Sequence, residues 1–123
     1  MPNLGFIGLG VMGQPMALNL CKAGFRLSVF ARNPAQSAPL LAAGAGVFDS
    51  PVAVAETSEI LFINVSDDSA LEAVLFGPQG AASGLAADSI VIDMVTTSPT
   101  FTRQLAARLA EQQVHLVDAP VSG

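Results

Sequence analysis

The chain has 123 residues, of which 51% are hydrophobic and 12% charged, with a net charge of -5 and a mean hydropathy of +0.55. That is enough apolar material for one core, caps the chain at a single domain and excludes a disordered composition. The acidic balance, with a sequence pI near 4.4, argues against a nucleic-acid surface but leaves room for a local basic spot that meets one phosphate.

The start, Met1-Pro2-Asn3-Leu4, lacks a basic leader, and Gly5, Gly8, Gly10 and Gly13 interrupt the first apolar run. Neither a signal peptide nor a spanning helix is expected, and the chain reads as cytoplasmic. Leu4-Gly5-Phe6-Ile7 predicts a short strand ending in a glycine turn, and Gln14 to Ala23 a helix closed by Gly24. Pro15 fits the first turn of that helix, where its missing N–H costs no intrahelical bond. Cys21, the only cysteine, falls on the apolar face and reads as core filling, so an intramolecular disulfide is excluded. Arg26 to Ala31 supplies a second strand that Asn33-Pro34 ends, completing a βαβ unit.

Ala35 to Ala43 is compatible with a helix, Ala45 to Phe48 with a short strand, and Ser50-Pro51 begins another short helix. Ile60 to Val65 is the most apolar strand candidate, as suits a parallel strand covered on both faces. Asp67 or Asp68 caps a helix through Ala70 to Leu75, and Gly77-Pro78 with Gly80 forms a turn region. Ser89 to Asp93 is the next strand, and Met94 to Pro99 the loop beyond it. Thr100 to Gln113 is the clearest amphipathic helix, with Phe101, Leu105, Leu109 and Gln112/Gln113 at helical spacing. Val114 to Asp118 is a last strand before Ala119-Pro120-Val121-Ser122-Gly123. This alternation predicts a doubly wound, mostly parallel α/β fold. Ending just past a strand, the chain reads as a truncated product or a part of a longer protein.

Gly8-Leu9-Gly10-Val11-Met12-Gly13 has the G-x-G-x-x-G spacing between a predicted strand and a predicted helix. There Gly8 serves the tight turn, Gly10 leaves space for a dinucleotide pyrophosphate and Gly13 lets helix and strand approach. The helix start adds free N–H groups and a partial positive charge. Arg32 ends the second strand, where an acid would meet a ribose 2′-OH and a guanidinium a 2′-phosphate. Phe30-Ala31-Arg32-Asn33-Pro34 has no acid there, which favours NADP over NAD, with Asn33 as a supporting donor; an exposed arginine that merely ends a strand is the alternative.

Val65 and Ser66 follow the third main strand on the same sheet edge and can flank the cofactor, whereas Asp67-Asp68 read as helix caps and make a poor metal signature. In Thr96-Thr97-Ser98-Pro99, Thr96 reads as a contact to the nicotinamide ribose or a substrate carboxylate, while Ser98 divides between that role and a helix cap. Ser122 and Gly123 suit a small carboxylate. Asp118 reads as a loop-stabilising acceptor rather than a proton-transfer group, and His115, the only histidine, as structural or surface because it lies inside a strand. No Gly-x-Ser-x-Gly occurs.

On Gly5-Phe6-Ile7-Gly8-Leu9-Gly10-Val11-Met12-Gly13, Met16-Ala17-Leu18-Asn19-Leu20, Lys22-Ala23-Gly24 and Asp118-Ala119-Pro120-Val121-Ser122-Gly123, the chain resembles the 3-hydroxyisobutyrate dehydrogenase family. These are β-hydroxyacid dehydrogenases related to 6-phosphogluconate dehydrogenase. The resemblance implies that residues 1–123 are an NAD(P)-binding Rossmann domain, incomplete at its carboxyl end and followed in the family by an all-α domain for substrate and dimerisation. By position it assigns Gly8 to Gly13 to the pyrophosphate, Arg32 to the adenosine end, Val65 and Ser66 to the cofactor loop, Thr96 to the nicotinamide end and Ser122 to the substrate carboxylate. Val65-Ser66 stands where the family usually has Leu-Pro. The family's catalytic lysine lies beyond Gly123, and Lys22, in the first helix, does not match it, so no catalytic residue is expected in this chain. The implied activity is the NADP- or NAD-dependent interconversion of a small 3-hydroxy acid and its semialdehyde, in a homodimer or tetramer without metal. Alternatives are a non-catalytic NADP-binding or assembly module and an imine reductase.

Overall fold

The structure, a computed structural model, describes residues 1–120. In chain order it holds β1 (Leu4–Ile7), α1 (Gly13–Lys22), β2 (Leu27–Phe30), α2 (Pro34–Ala42), β3 (Gly46–Val47), α3 (Pro51–Glu56), β4 (Ile60–Ile63), α4 (Asp68–Phe76), a 3-10 turn (Ala81–Gly84), β5 (Ile90–Asp93), α5 (Pro99–Ala110) and β6 (His115–Asp118). The six strands form one sheet in the order β3-β2-β1-β4-β5-β6. Every pairing is parallel, so the α/β Rossmann-type doubly wound reading holds. Strand order reverses between β1 and β4, and at such a reversal the loops at the carboxyl ends splay apart to leave a crevice.

Alternation along the strands separates two cores. Ile7, Leu61, Ile63 and Val91 pack with Val54, Leu71, Leu75, Leu105 and Leu109 of α3, α4 and α5. On the other face Leu4, Phe6, Leu27 and Val29 pack with Ala17 of α1 and Leu40 of α2. Phe6 and Phe62, partners in register, stack with ring centroids 5.7 Å apart. The expectation that β4 is covered on both faces holds for one: Leu61 and Ile63 are buried, whereas Ile60 and Phe62 are half-buried. The reason is that α1 and α2 lie against β1 and β2 on that side.

Helix starts follow from local side chains. Asn33, Ser50, Asp67 and Ser98 each accept a backbone N–H at the start of α2, α3, α4 and α5, with prolines at Pro34, Pro51 and Pro99 in the first turn of three of them. Asp67 is therefore the cap of α4 and Asp68 its first residue, while Ser98 caps α5 through Phe101. α5 stops at Ala110, short of Gln113, because Gln113 is left-handed (φ 62°) and the Val114 N–H closes back on the Leu109 carbonyl. β2 and β4 are likewise shorter than the apolar runs that contain them. Cys21 is half-buried against the second core, and burial pushes its thiol up. His115 is exposed.

Candidate functional site: a cleft at the strand reversal

A cleft of 550 Å³ opens at the carboxyl ends of β1, β2 and β4. Its floor is Ile7, Gly8, Leu9 and Gly10, one wall carries Phe30, Arg32 and Gln36, and the other carries Asn64, Val65, Ser66 and three residues of α4, Ala70, Ala73 and Val74. Pro51, at the start of α3, completes it. Arg32 is the only charged side chain in this lining, so a chain of net charge -5 presents a single cation to whatever the cleft holds. The structure thus brings together Gly8, Leu9, Gly10, Arg32, Val65 and Ser66 of the residues singled out in the sequence.

The glycines divide by what surrounds them. Gly8 has φ +98°, its N–H donates to the Phe30 carbonyl at 3.2 Å, and a Cβ there would overlap the Asn64 carbonyl oxygen. A Cβ on Gly13 would overlap the Gly8 carbonyl oxygen. Both positions are set by backbone packing. Gly10 differs: a Cβ there would meet nothing within 4 Å, although the residue lines the cleft.

α1 is also the exception among the five α-helices of the described residues, since Met12 at its N-cap makes no side-chain cap bond, whereas the other four are capped by side chains. Its amide donors and the positive end of its dipole are left for an anion at that point. An uncapped helix start, open space at Gly10 and one guanidinium along the same cleft fit a dinucleotide.

Other expected residues lie outside the cleft lining. Val11 is 95% exposed at the tip of the glycine loop, and Met12 and Gly13 sit behind it at the helix start. Asn33 accepts from the Ala35 N–H at 3.0 Å as the cap of α2. Thr96 is exposed on the loop after β5, and its neighbour Thr97 shares a hydroxyl hydrogen bond with Thr102. Ser122 and Gly123 lie outside the described residues. Sequence reasoning missed Gln36, Pro51, Asn64, Ala70, Ala73 and Val74, and read Ile7 and Phe30 only as strand residues. Gln36 carried a usable signal, because it stands in the first turn of α2, four residues after Arg32; its backbone carbonyl accepts from the Gln14 side-chain amide at 2.8 Å, tying α2 to α1.

A profile described as the NAD binding domain of 6-phosphogluconate dehydrogenase matches residues 3–123. The chain belongs to this family. It is 42% identical over 121 residues to 2-hydroxy-3-oxopropionate reductase of Escherichia coli (strain K12), a match covering 98% of this chain and 41% of that protein. The crystal structure of 3-hydroxyisobutyrate dehydrogenase from Salmonella typhimurium superposes with a TM-score of 0.93 at 33% identity, over 100% of this chain and 43% of that one. The structure of Psf3 in complex with NADP+ and 2-OPP gives a TM-score of 0.91 at 30% identity, over 98% of this chain and 43% of that one. The chain therefore spans about two fifths of the length of the proteins it matches, and the shared part is their NAD(P)-binding domain. Among the described residues no helix is long and apolar enough to cross a membrane.

Proposed function

We propose that this chain binds NADP in preference to NAD, and that the whole protein interconverts a small 3-hydroxy acid and its semialdehyde. The observation that carries the reading is the open position at Gly10 beside the uncapped start of α1, with Arg32 on the same cleft. In this reading the Gly8–Gly13 loop and the α1 amides hold the pyrophosphate, while Arg32 makes paired, charge-assisted bonds to the 2′-phosphate, supported by Asn33. Val65 and Ser66 flank the cofactor, Thr96 receives its nicotinamide end, and Ser122 with the Gly123 N–H anchors the substrate carboxylate. The nicotinamide supplies the hydride chemistry when bound, and the protein contributes orientation and the exclusion of side reactions. A lysine outside this chain would handle the hydroxyl proton.

The relatives support the reading: one is a 2-hydroxy-3-oxopropionate reductase, and one solved relative is a complex with NADP+. A cytoplasmic homodimer or tetramer belongs to the same proposal. Steady-state assays of the whole protein with short 3-hydroxy acids and both cofactors test it. Turnover is expected with kcat/KM for NADP at least about 10-fold above NAD, the discrimination one charge-assisted contact supplies. No hydride transfer with any such acid, or an equal rate with NAD, would contradict it. The 123-residue chain alone is expected to bind cofactor without turnover.

A further inference from the structure

In β5, Val91 and Asp93 share the face that packs into the core of Ile63, Leu71 and Leu105, where an apolar residue is the rule. Asp93 nevertheless stands there with 0% exposure. An isolated carboxylate in such a place is strongly unfavourable unless it is neutralised or hydrogen-bonded. Among the described residues no cation compensates it: the ionisable groups acting on it from the elements packed around it are Asp118, its partner in register on β6, and Asp68 in the first turn of α4. Both are acids.

The carboxyl has one partner. Its Oδ1 accepts from the Val95 N–H at 2.8 Å, two residues on, and its Oδ2 has none among the described residues. The backbone around it joins three strand ends, since the Asp93 carbonyl accepts from Ala119 N–H at 2.8 Å and the Met94 N–H donates to Ile63 at 3.0 Å. Directly beyond this junction Met94 and Val95 are buried and Thr96 is exposed. The bond to Val95 closes a turn that sends Val95 inward and Thr96 outward toward the sheet edge.

We propose that Asp93 is a positioning residue whose buried side chain, by accepting the Val95 N–H, clamps the Met94–Ser98 loop and so presents Thr96 at the cofactor edge. The role needs an acceptor of this shape facing the Val95 N–H. Burial and the two acidic neighbours push the Asp93 carboxyl up, against the opposing pull of the Val95 bond. The clamp itself stands on geometry, whereas its consequence for cofactor binding rests on the reading given under Proposed function.

The test compares Asp93→Asn and Asp93→Leu in the 123-residue chain, reading amide exchange at Val95 by NMR and NADP+ affinity by titration. Asn keeps the acceptor without a charge, so it should hold Val95 protection and NADP+ affinity within about 3-fold of the parent. Leu keeps the bulk and removes the acceptor, so it should lower both by about 10-fold, the usual effect of losing one hydrogen bond, while the Phe6 amide stays protected. If the Leu variant does not fold, Asp93→Ala takes its place. Val95 protection unchanged in the Leu or Ala variant overturns the clamp, and an Asn variant that fails like Leu overturns the role assigned to the acceptor. A parent chain that does not bind NADP+ overturns the functional reading instead, and exchange at Val95 then judges the clamp by itself.

Discussion

Gly8 and Asn64 meet backbone to backbone at the point where the sheet order reverses: a Cβ on Gly8 would overlap the Asn64 carbonyl oxygen. The Asn64 N–H in turn donates to the Ile7 carbonyl at 2.9 Å, so the ends of β1 and β4 are locked together beneath the glycine loop. The floor of the cleft is thereby built from packed main chain, and the room at its mouth is left at Gly10.

Two glycines of one motif should consequently respond in opposite ways to alanine. Gly8→Ala combines a left-handed backbone with a main-chain overlap and should cost at least about 2 kcal/mol, read as a lower urea midpoint. Gly10→Ala meets no neighbour, so its stability should stay within about 0.5 kcal/mol of the parent. Gly10 lines the cleft, so on the pyrophosphate assignment an added methyl group should crowd the phosphates and lower NADP+ affinity at least about 10-fold. A Gly10→Ala chain that binds as the parent does would contradict the pyrophosphate assignment.

Arg32 is the only cation of the cleft lining. Arg32→Ala should weaken NADP+ binding by about 10- to 100-fold, the range for one hydrogen-bonded charge, and change NAD+ affinity by less than about 3-fold. Titration calorimetry with both cofactors reads the difference. An equal loss for the two would show that Arg32 meets something other than the 2′-phosphate.

Asp93 ties stability to pH. Its carboxyl is pushed up in the folded chain by burial first, then by Asp118 and Asp68, so the folded state holds this proton more tightly than the unfolded one. Its stabilising contribution is complete below the unfolded value of about 3.9 and is lost as pH rises through the folded value. Asp93→Asn, which carries no charge at any pH, should therefore gain stability relative to the parent as pH is raised from about 3 to 7. Paired urea titrations across that range check it. A constant difference between the two chains would mean that Asp93 titrates alike folded and unfolded.

On the surface, the Arg108 guanidinium pairs with Glu72 at 2.7 Å and lies 3.6 Å from the centroid of the Phe76 ring. Both partners of the pair are well exposed, so Glu72→Ala should cost less than about 0.5 kcal/mol. Arg108→Ala loses the ring contact as well and should cost about 1 kcal/mol. Thermal unfolding at low and high salt separates the two contributions, since salt should erase the Glu72 effect before the Phe76 one.

What the sequence made legible is what local spacing encodes. The glycine motif, the strand before it and the helix after it form one contiguous stretch, and Arg32, Val65 and Ser66 follow closely on the ends of β2 and β4, which the apolar runs mark. The rest of the lining was not legible: Pro51 at the start of α3 and Ala70, Ala73 and Val74 of α4 are small or apolar, carry no chemical signature, and reach the cleft only through the packing of their helices. Asp93 was read as the last residue of a strand, because a buried acid and an exposed one have the same letter. Asp67 and Ser98 show the converse, since three-residue spacing to the capped N–H decided between alternatives once the helix starts were located.

The account depends on dinucleotide phosphates settling against the start of α1, and calorimetric titration of the 123-residue chain with NADP+ tests that directly. It predicts saturable binding of one NADP+ per chain, tighter than NAD+ and weakened by Gly10→Ala without loss of fold. A folded chain that shows no saturable binding of either nucleotide would contradict it.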